Sequence, residues 1–356
     1  MRVSIVQCRG TPYEIGRQQG LIFAASRRGL NFQRSKVALP SWFDMRAEER
    51  FYAKFAPAIF EEISGIANAL DTSLARACLF FGNGGLRPRL GGCSAVMSPA
   101  AFGRNYDFQP QNYGARLALV QPEGSYASIG FSELLTGRLD GMNEHGLTVA
   151  LHLVGRRRLP GMSCLLMIRI VLDQCATTDE AVEMFGRFPH AVAYNYSLLD
   201  AGGRAAVVEA MPGGFHARRG PALACTNHFQ SQAMRPYNRA RSRTSWTRLP
   251  PLEAWASQGL AVDALFEALN RSTSPAFFGS PGGRFGTLHT ITTEPSSKVV
   301  LVGVGGDASV VQGAALKVDF KTWTAGESLA ISELTGLLGG VAVPAVGSKT
   351  AKKSFA

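Results

Sequence analysis

The sequence lacks the spacings that metal sites and disulfide frameworks use. Its 6 cysteines and 6 histidines are dispersed over 356 residues, without a Cys-x-x-Cys or a His-Glu-x-x-His pair. Metal-binding and disulfide-rich proteins space these residues more closely or more regularly. We therefore expect no metal ion and no cofactor.

The chain also lacks an apolar run of the roughly 20 residues that a membrane-spanning helix needs. The stretch from Met1 to Cys8 does not contain the long apolar segment of a secretory signal. Apolar residues make up 46% of the chain, which is enough for a substantial core, and the mean hydropathy is close to zero. We expect a cytoplasmic protein that has no membrane partner.

Acidic residues are fewer than basic ones: 26 against 37, a formal net charge of +11. Such a balance is typical of proteins that bind nucleic acids or other anions. No zinc finger, RNA-recognition aromatic signature or basic zipper accompanies the charge, and a solvated surface helix explains an arginine cluster equally well. We expect no nucleic-acid partner, but a non-enzymatic nucleic-acid-binding or scaffold protein stays the alternative. The cluster comprises Arg235, Arg239, Arg241, Arg243 and Arg248.

The most informative stretch predicts a β-hairpin. Two short apolar runs, Cys93 to Met97 and Phe102 to Phe108, are joined by a turn at Ser98-Pro99. The first strand begins with a thiol directly after two glycines. The second carries Arg104 and Asp107, which alternation places on opposite faces. A thiol, a guanidinium and a carboxylate on paired strands are the parts of an activated nucleophile, although a cysteine after two glycines is more often a small buried residue.

Two segments of this hairpin carry a family resemblance. Gly92–Ser94 (Gly-Cys-Ser) and Gly103–Phe108 (Gly-Arg-Asn-Tyr-Asp-Phe) resemble the start of the mature chain in the linear-amide amidases, a peptidase C45-like group. The group includes penicillin acyl-CoA:6-aminopenicillanate acyltransferase and the choloylglycine (bile-salt) hydrolases. The resemblance, which spans roughly residues 9–306, implies an N-terminal-nucleophile hydrolase. It also implies an α+β fold, a four-layer αββα sandwich.

The resemblance implies a role for several side chains. Cys93 becomes both nucleophile and base after the precursor cuts itself. Arg104 favours the thiolate by its charge, and Asp107 orients the new α-amine. Asn227, at the end of a predicted strand, donates to the oxyanion of the tetrahedral intermediate. His152 stands where bile-salt hydrolases carry an active-site Asn, and it is either an oxyanion or substrate contact or a core residue with satisfied hydrogen bonds.

Self-cleavage between Gly92 and Cys93 divides the chain. Glycine tolerates the strained backbone that a self-attack requires, and the freed α-amine has an unperturbed pKa of about 7.7–8.0, suitable for a base. Residues 1–92 are then a helical pro-segment, 93–335 the catalytic core, and 336–356 a flexible basic tail. We expect the two cleaved chains to stay associated.

Two details outside the hairpin are specific enough to check. Gly16 and Gly20 on one predicted helix give it a flat face for close packing. The stretch from Met162 to Phe185 reads as one long helix.

The arginine-rich segment resembles a Ser-x-x-Arg-x-x-x-Leu pattern found in similar chains. Ser242 and Leu249 fit this pattern, but Ser245 then stands where the arginine belongs. Either Arg243 or Arg248 is close enough to substitute for it.

The chemistry that the resemblance implies is acyl transfer through a thioester on Cys93. The substrate is a small molecule, either a linear, non-peptide N-acyl amide or an acyl thioester. The acyl group passes from sulfur to water or to an amine, and the residues do not distinguish hydrolase from acyltransferase. Strict specificity for penicillin or for bile salts depends on a pocket that the sequence does not define.

Overall fold

The computed structural model describes residues 1–35, 38–83, 91–239, 243–279 and 284–337. Residues 338–356, most of the expected basic tail, lie outside the described residues. Among the described residues, no helix is both long and apolar enough to cross a membrane.

These ranges contain ten α-helices and sixteen β-strands. The helices are α1 (Pro12–Ala24), α2 (Arg27–Arg34), α3 (Met45–Phe55), α4 (Pro57–Ala69), α5 (Leu74–Phe81), α6 (Cys164–Gln174), α7 (Thr178–Arg187), α8 (Arg243–Gln258), α9 (Val262–Asn270) and α10 (Phe320–Thr324). The strands are β1 (Arg2–Gly10), β2 (Gly92–Met97), β3 (Phe102–Phe108), β4 (Arg116–Pro122), β5 (Ser128–Glu133), β6 (Gly137–Arg138), β7 (Asp140–Asn143), β8 (Thr148–Leu153), β9 (Tyr194–Leu199), β10 (Ala205–Met211), β11 (Gly214–Gly220), β12 (Leu223–Cys225), β13 (Gly286–Glu294), β14 (Val299–Val304), β15 (Ala315–Asp319) and β16 (Glu333–Thr335).

The strands form two sheets. The larger has the order β11-β10-β9-β8-β7-β5-β4-β1-β16, with β6 paired to β5, and the smaller has the order β12-β2-β3-β13-β14-β15. Strand β2 packs against β8 and β9 of the larger sheet. Helices α6 and α7 pack on the larger sheet, and α8 and α9 pack on the smaller one. The fold is thus α+β with an αββα layer order, as the resemblance implied.

Alternation along β8 illustrates how the layers form. Ala150 packs with Ala95 and Met97 of β2 in the layer between the sheets. Its neighbours Val149 and Leu151 point the other way and join the main core, which includes α6. Because successive side chains of a strand point to opposite faces, an apolar strand buried on both faces holds two layers together.

The first segment, residues 1–92, is built into the larger sheet. Its strand β1 pairs in parallel with β4 and antiparallel with β16. Helix α1 lies so close to α4 that the contact leaves no room for side chains at two glycines. A Cβ added at Gly16 would be 1.9 Å from the carbonyl oxygen of Glu62, and a Cβ added at Gly65 would be 2.0 Å from the carbonyl oxygen of Tyr13. The predicted close packing around Gly16 is confirmed.

The single long helix expected from Met162 to Phe185 is wrong. The structure has two helices there, α6 and α7, separated by an extended residue, Cys175. The side chain of Thr177 accepts a hydrogen bond from the backbone N–H of Glu180 and caps the second helix. A capping threonine satisfies an N–H group that a new helix leaves open, so this local interaction outweighs the continuous apolar periodicity.

A buried ion-pair network joins the first segment to the core. The Arg169 guanidinium lies 2.8 Å from Glu62 Oε2 and 2.7 Å from Asp173 Oδ1. All three side chains are nearly inaccessible to solvent. Residue 62 belongs to α4, whereas the other two belong to α6, so the network crosses the junction between segment and core.

We predict that Arg169→Met destabilises the protein by about 3–5 kcal/mol, because it leaves Glu62 and Asp173 buried without a compensating charge. Urea-induced unfolding measures this loss. The matched control is Arg187→Met, which removes an exposed i, i+4 pair with Glu183 and is expected to change the unfolding free energy within error. Equal effects of the two substitutions would contradict the prediction.

Candidate active site

The hairpin of β2 and β3 places the thiol of Cys93 between the two sheets. Cys93 lies opposite Tyr106, and Gly92 lies opposite Asp107. Because opposed residues share a face, the side chains of Cys93, Tyr106 and Arg104 point to one side of the sheet and that of Asp107 to the other. The Cys93 residue is only 1% exposed, so any chemistry on this sulfur takes place in a desolvated site.

Arg104 contacts the thiol directly. Its Nη2 lies 3.3 Å from Cys93 Sγ. Its Nη1 donates to Asp140 Oδ2 at 2.7 Å and to the carbonyl oxygen of Leu139 at 2.9 Å. The guanidinium is fully buried, so these acceptors replace the water that it loses. The predicted proximity of thiol and guanidinium is present in the structure.

Asn227 lies beside the backbone of Cys93, although 134 residues separate them in the sequence. Its Oδ1 accepts the Cys93 N–H at 2.7 Å, and its Nδ2 donates to the carbonyl oxygen of Leu153 at 3.0 Å. The Ser245 hydroxyl accepts the backbone N–H of Asn227 at 2.8 Å. The amide is therefore held in one orientation against the nitrogen that cleavage would release as an amine.

Arg248 is a site residue that the sequence prediction left open. From α8, its Nη1 donates to the Cys93 carbonyl oxygen and to Ser94 Oγ, both at 2.6 Å, and its Nη2 donates to Asn227 Oδ1 at 3.0 Å. Its guanidinium also lies 3.9 Å from a carboxylate oxygen of Asp107. Arg248 thus connects the hairpin to the strand end that carries Asn227.

The predicted alignment of the Ser-x-x-Arg-x-x-x-Leu pattern was wrong by three residues. Ser245, Arg248 and Leu252 fit it fully, and the first two contact Asn227. Ser242 lies outside the described residues, as does the side chain of Arg243. The correct alignment was available in the sequence and needed only a shift by one helical turn.

Asp107 lies against Gly92. A Cβ added to Gly92 would be 2.6 Å from Asp107 Oδ2, so a larger residue at this position would require the Asp107 side chain to move. The φ angle of Gly92 is not positive, and glycine serves here for close approach rather than for backbone strain. The Asp107 carboxylate accepts a hydrogen bond from Thr287 Oγ1 at 2.7 Å. The partner of the Cys93 nitrogen is Asn227 rather than Asp107.

Burial dominates the electrostatics of the site. It raises the pKa of the Cys93 thiol, an effect that Arg104 and Arg248 oppose and Asp107 reinforces. Burial also raises the pKa of Asp107, against the influence of Arg248, Thr287 and Arg104. In the intact chain the two arginines do not offset the desolvation of the thiol, so the thiol needs a base to become a nucleophile.

His152 is buried next to the strand end that contacts Asn227. Its Nε2 lies 2.8 Å from Ser197 Oγ, and its Nδ1 has no hydrogen-bond partner among the residues that the structure describes. Burial, with Arg104 and Arg248 nearby, holds its pKa well below the ordinary 6.5. The ring is therefore neutral in the folded protein.

In the described part of the chain, no group of three or more His, Cys, Asp or Glu side chains is arranged to hold a metal ion. All six cysteines are buried and free.

The depressed pKa of His152 makes stability depend on pH. Below pH 6.5 the unfolded chain binds a proton at this residue that the folded chain does not, so stability falls as pH decreases, by up to about 1.4 kcal/mol per pH unit. We predict that His152→Gln removes this contribution, so that the unfolding free energy falls less between pH 7.5 and 5 than it does in the wild type. The exposed His216→Gln is the control and should follow the wild-type curve. A His152→Gln curve as steep as the wild-type one would contradict the prediction.

Comparison with known proteins identifies the family. The model of the acyl-coenzyme A:6-aminopenicillanic acid acyl-transferase family matches residues 96–309, more than half of the chain. The match begins just after Cys93 and includes Arg104, Asp107, Asn227 and Arg248. A comparison with curated proteins gives no match.

Similar solved structures include penicillin V acylase from Agrobacterium tumefaciens, with 18% identity over 64% of this chain and 91% of that chain, at a TM-score of 0.37. A mutant of conjugated bile acid hydrolase from Clostridium perfringens has 12% identity over 72% of this chain and 100% of that chain, at a TM-score of 0.44. The Caenorhabditis elegans ortholog of N-acylethanolamine-hydrolyzing acid amidase has 16% identity over 58% of this chain and 93% of that chain, at a TM-score of 0.37.

The family match decides between the two classes that the sequence left open, since it favours an enzyme over a nucleic-acid-binding or scaffold protein. The chain belongs to the acyl-coenzyme A:6-aminopenicillanic acid acyl-transferase family, whose name describes enzymes that transfer acyl groups.

Proposed function

We propose that this protein is a self-activating cysteine amidase or acyltransferase that acts on linear N-acyl amides through a thioester on Cys93. One observation carries the proposal. Three polar side chains from distant parts of the chain contact the sulfur, nitrogen and carbonyl oxygen of this one residue: Arg104, Asn227 and Arg248. A cysteine that only fills the core needs none of these contacts.

Self-cleavage is the first step of the proposal. Cys93 Sγ attacks the carbonyl carbon of Gly92, the C–S bond forms as the C–N bond breaks, and the thiol proton passes to the nitrogen. Water then hydrolyses the thioester, which leaves a carboxylate on Gly92 and restores the thiol. Two hydrogen bonds support this step, because they fix the residue on the C-terminal side of the bond: the Cys93 N–H donates to Asn227, and Arg248 donates to the Cys93 carbonyl oxygen.

The new α-amine is the base in each turnover. It takes the proton of the Cys93 thiol, and the thiolate attacks the acyl carbon of the substrate. The ammonium proton goes to the leaving amine as the C–N bond breaks, and the acyl group stays on sulfur as a thioester. Water or a second amine then accepts the acyl group. An amine with an unperturbed pKa of about 7.7–8.0 suits both directions of this proton transfer near neutral pH.

Asn227 and His152 are the proposed oxyanion donors. Asn227 Nδ2 donates to the carbonyl oxygen of Leu153, the neighbour of His152, so the two side chains lie at the same end of β8. Because the His152 ring is neutral, it stabilises the oxyanion through a ring N–H rather than as a cation.

We also propose that the cleaved segment 1–92 stays bound to the catalytic core 93–335. Strand β1 pairs with β4 and β16 of the core, and the buried Glu62–Arg169 pair links α4 to α6. Release would remove the strand that pairs with β4 and β16 and would take Glu62 away from Arg169, and backbone groups or charges that stay buried without a partner are costly.

The proposed substrate is a small N-acyl amide or acyl thioester. The family name combines an acyl thioester with an amine acceptor, and either compound delivers an acyl group to sulfur. The cytoplasmic location stays a prediction from the sequence.

Substitution of the nucleophile tests the proposal. We predict that Cys93→Ala abolishes both self-cleavage and turnover, and that Cys93→Ser slows or stops cleavage because a hydroxyl is much harder to ionise than a thiol. Turnover is measured on N-acyl amino acids, acyl amines and β-lactam amides, with and without an added amine, so that hydrolysis and transfer are distinguished.

The control for this test is Cys225→Ala, since Cys225 is equally buried on the neighbouring strand β12. It should keep wild-type cleavage and turnover. Wild-type turnover by Cys93→Ala would refute the proposed function.

A second prediction concerns the oxyanion. Asn227→Ala should lower kcat by roughly 10²–10³, the usual effect of losing one donor. Asn143→Ala removes an equally buried amide that instead binds the carbonyl oxygens of Leu172 and Cys175. It should reduce stability while the folded protein keeps its kcat. If the two variants lose kcat equally, Asn227 has no specific role in catalysis.

A further inference from the structure

Arg104 is one end of a buried chain of polar side chains. On the side away from Cys93, its Nη1 contacts Asp140 Oδ2 at 2.7 Å. The same carboxylate oxygen lies 2.8 Å from His289 Nε2, and His289 Nδ1 lies 2.8 Å from the Tyr113 hydroxyl. All five residues are at most 1% exposed. Arg104 and His289 come from the smaller sheet and Asp140 from the larger one, so the chain of contacts crosses the space between the sheets.

The charge states of these groups assign a direction to each hydrogen bond in the network. Arg104 and His289 hold the pKa of Asp140 below its usual value despite burial, so the carboxylate is ionised and only accepts. His289 Nε2 must then carry the proton that points to Asp140. Burial lowers the pKa of His289, which leaves the ring neutral with Nδ1 as an acceptor. The Tyr113 hydroxyl is therefore the donor to Nδ1.

Two further contacts restrict the movement of this network. The backbone N–H of Phe131 donates to the second carboxylate oxygen of Asp140 at 3.2 Å. The Phe131 ring is stacked on the imidazole of His289, with the ring centroids 3.6 Å apart. Because both the carboxylate and the imidazole are fixed, the guanidinium that binds the carboxylate is fixed as well.

We infer that Asp140, His289 and Tyr113 are positioning residues that hold the Arg104 guanidinium on the Cys93 thiol and determine how much positive charge the sulfur experiences. The inference deepens the proposed function, on which it rests. A buried ion pair is not in general a source of stability. In the Arg104–Asp140 pair, the guanidinium contacts the Cys93 sulfur on one side and the Asp140 carboxylate on the other. A change at Asp140 therefore alters the electrostatic potential at the sulfur.

The thiol pKa of Cys93 tests the electrostatic part of the inference. Arg104→Gln removes a positive charge next to the sulfur and should raise the pKa, whereas Asp140→Asn removes the compensating negative charge and should lower it, each by about one pH unit or more. The titration follows thiolate absorbance, and the signal of Cys93 is obtained by subtracting the same protein with Cys93→Ala.

Intact mass assigns the processing state of each preparation, and proteins are compared within one state. Opposite shifts are expected, since a general disturbance of folding does not separate the two variants by sign. Equal thiol pKa values in the two variants, or the reverse order, would overturn the inference.

Paired substitutions of His289 test the positioning part. His289→Gln keeps an N–H that can reach Asp140, whereas His289→Leu does not. We expect kcat/KM to fall roughly 10–100-fold in His289→Leu, the usual loss for a hydrogen bond to a charged group, and to recover to within a few-fold of wild type in His289→Gln. Equal losses in the two variants would show that the imidazole only fills space.

His190 provides the control for this pair. It is also buried, and its Nε2 contacts the carbonyl oxygen of Phe185, away from Cys93. His190→Gln and His190→Leu should leave the thiol titration of Cys93 unchanged, and a shift in either would contradict the assignment to Asp140 and His289. The titration requires no turnover, so its result is independent of the activity assays. The inference about Asp140 and His289 can therefore fail even if Cys93 is the nucleophile, and it can hold even if Cys93 is not.

Discussion

The contact between the Arg104 guanidinium and the Cys93 thiol is the interaction on which the site depends. A cation buried between two sheets costs several kcal/mol unless acceptors surround it. Here the acceptors are the sulfur, the carbonyl oxygen of Leu139 and the carboxylate of Asp140. The strands that supply them must therefore keep their register, because a slip by one residue would turn each side chain to the opposite face.

A second arginine fixes the backbone on the other side of the same cysteine. Arg248 binds the Cys93 carbonyl oxygen and Asn227 Oδ1, and Asn227 accepts the Cys93 N–H. The Cys93 sulfur is thus contacted by Arg104 in the space between the sheets, and the Cys93 carbonyl oxygen is bound by Arg248 of helix α8. This division places the thiol and the backbone nitrogen of one residue in different environments, which is compatible with the proposed double role of Cys93 as nucleophile and base.

The sequence was sufficient to predict the β2–β3 hairpin. The predicted strands agree with β2 and β3 to within one residue, because two apolar runs around Ser98-Pro99 leave little choice of register. The layered fold followed from the family resemblance that the same residues carry. Asn227 was found through the same resemblance, because nothing local distinguishes it from an asparagine in a turn.

The remaining site residues depend on contacts between distant strands. Asp140 and His289 lie on strands β7 and β13, where a single polar residue has no evident partner in the sequence, and only the packing of the two sheets brings them together. An aspartate within an apolar strand was the available signal for the first of them. Arg248 was visible in the pattern shifted by one helical turn, but one arginine among several is not distinctive until the path of α8 is known.

The proposed mechanism requires Cys93 to be an N-terminal residue. N-terminal sequencing and intact mass spectrometry of purified, active protein test this requirement. We expect two chains that copurify, the second of which begins with Cys93, Ser94 and Ala95. A single full-length chain that turns over N-acyl amides as fast as a cleaved preparation would contradict this requirement.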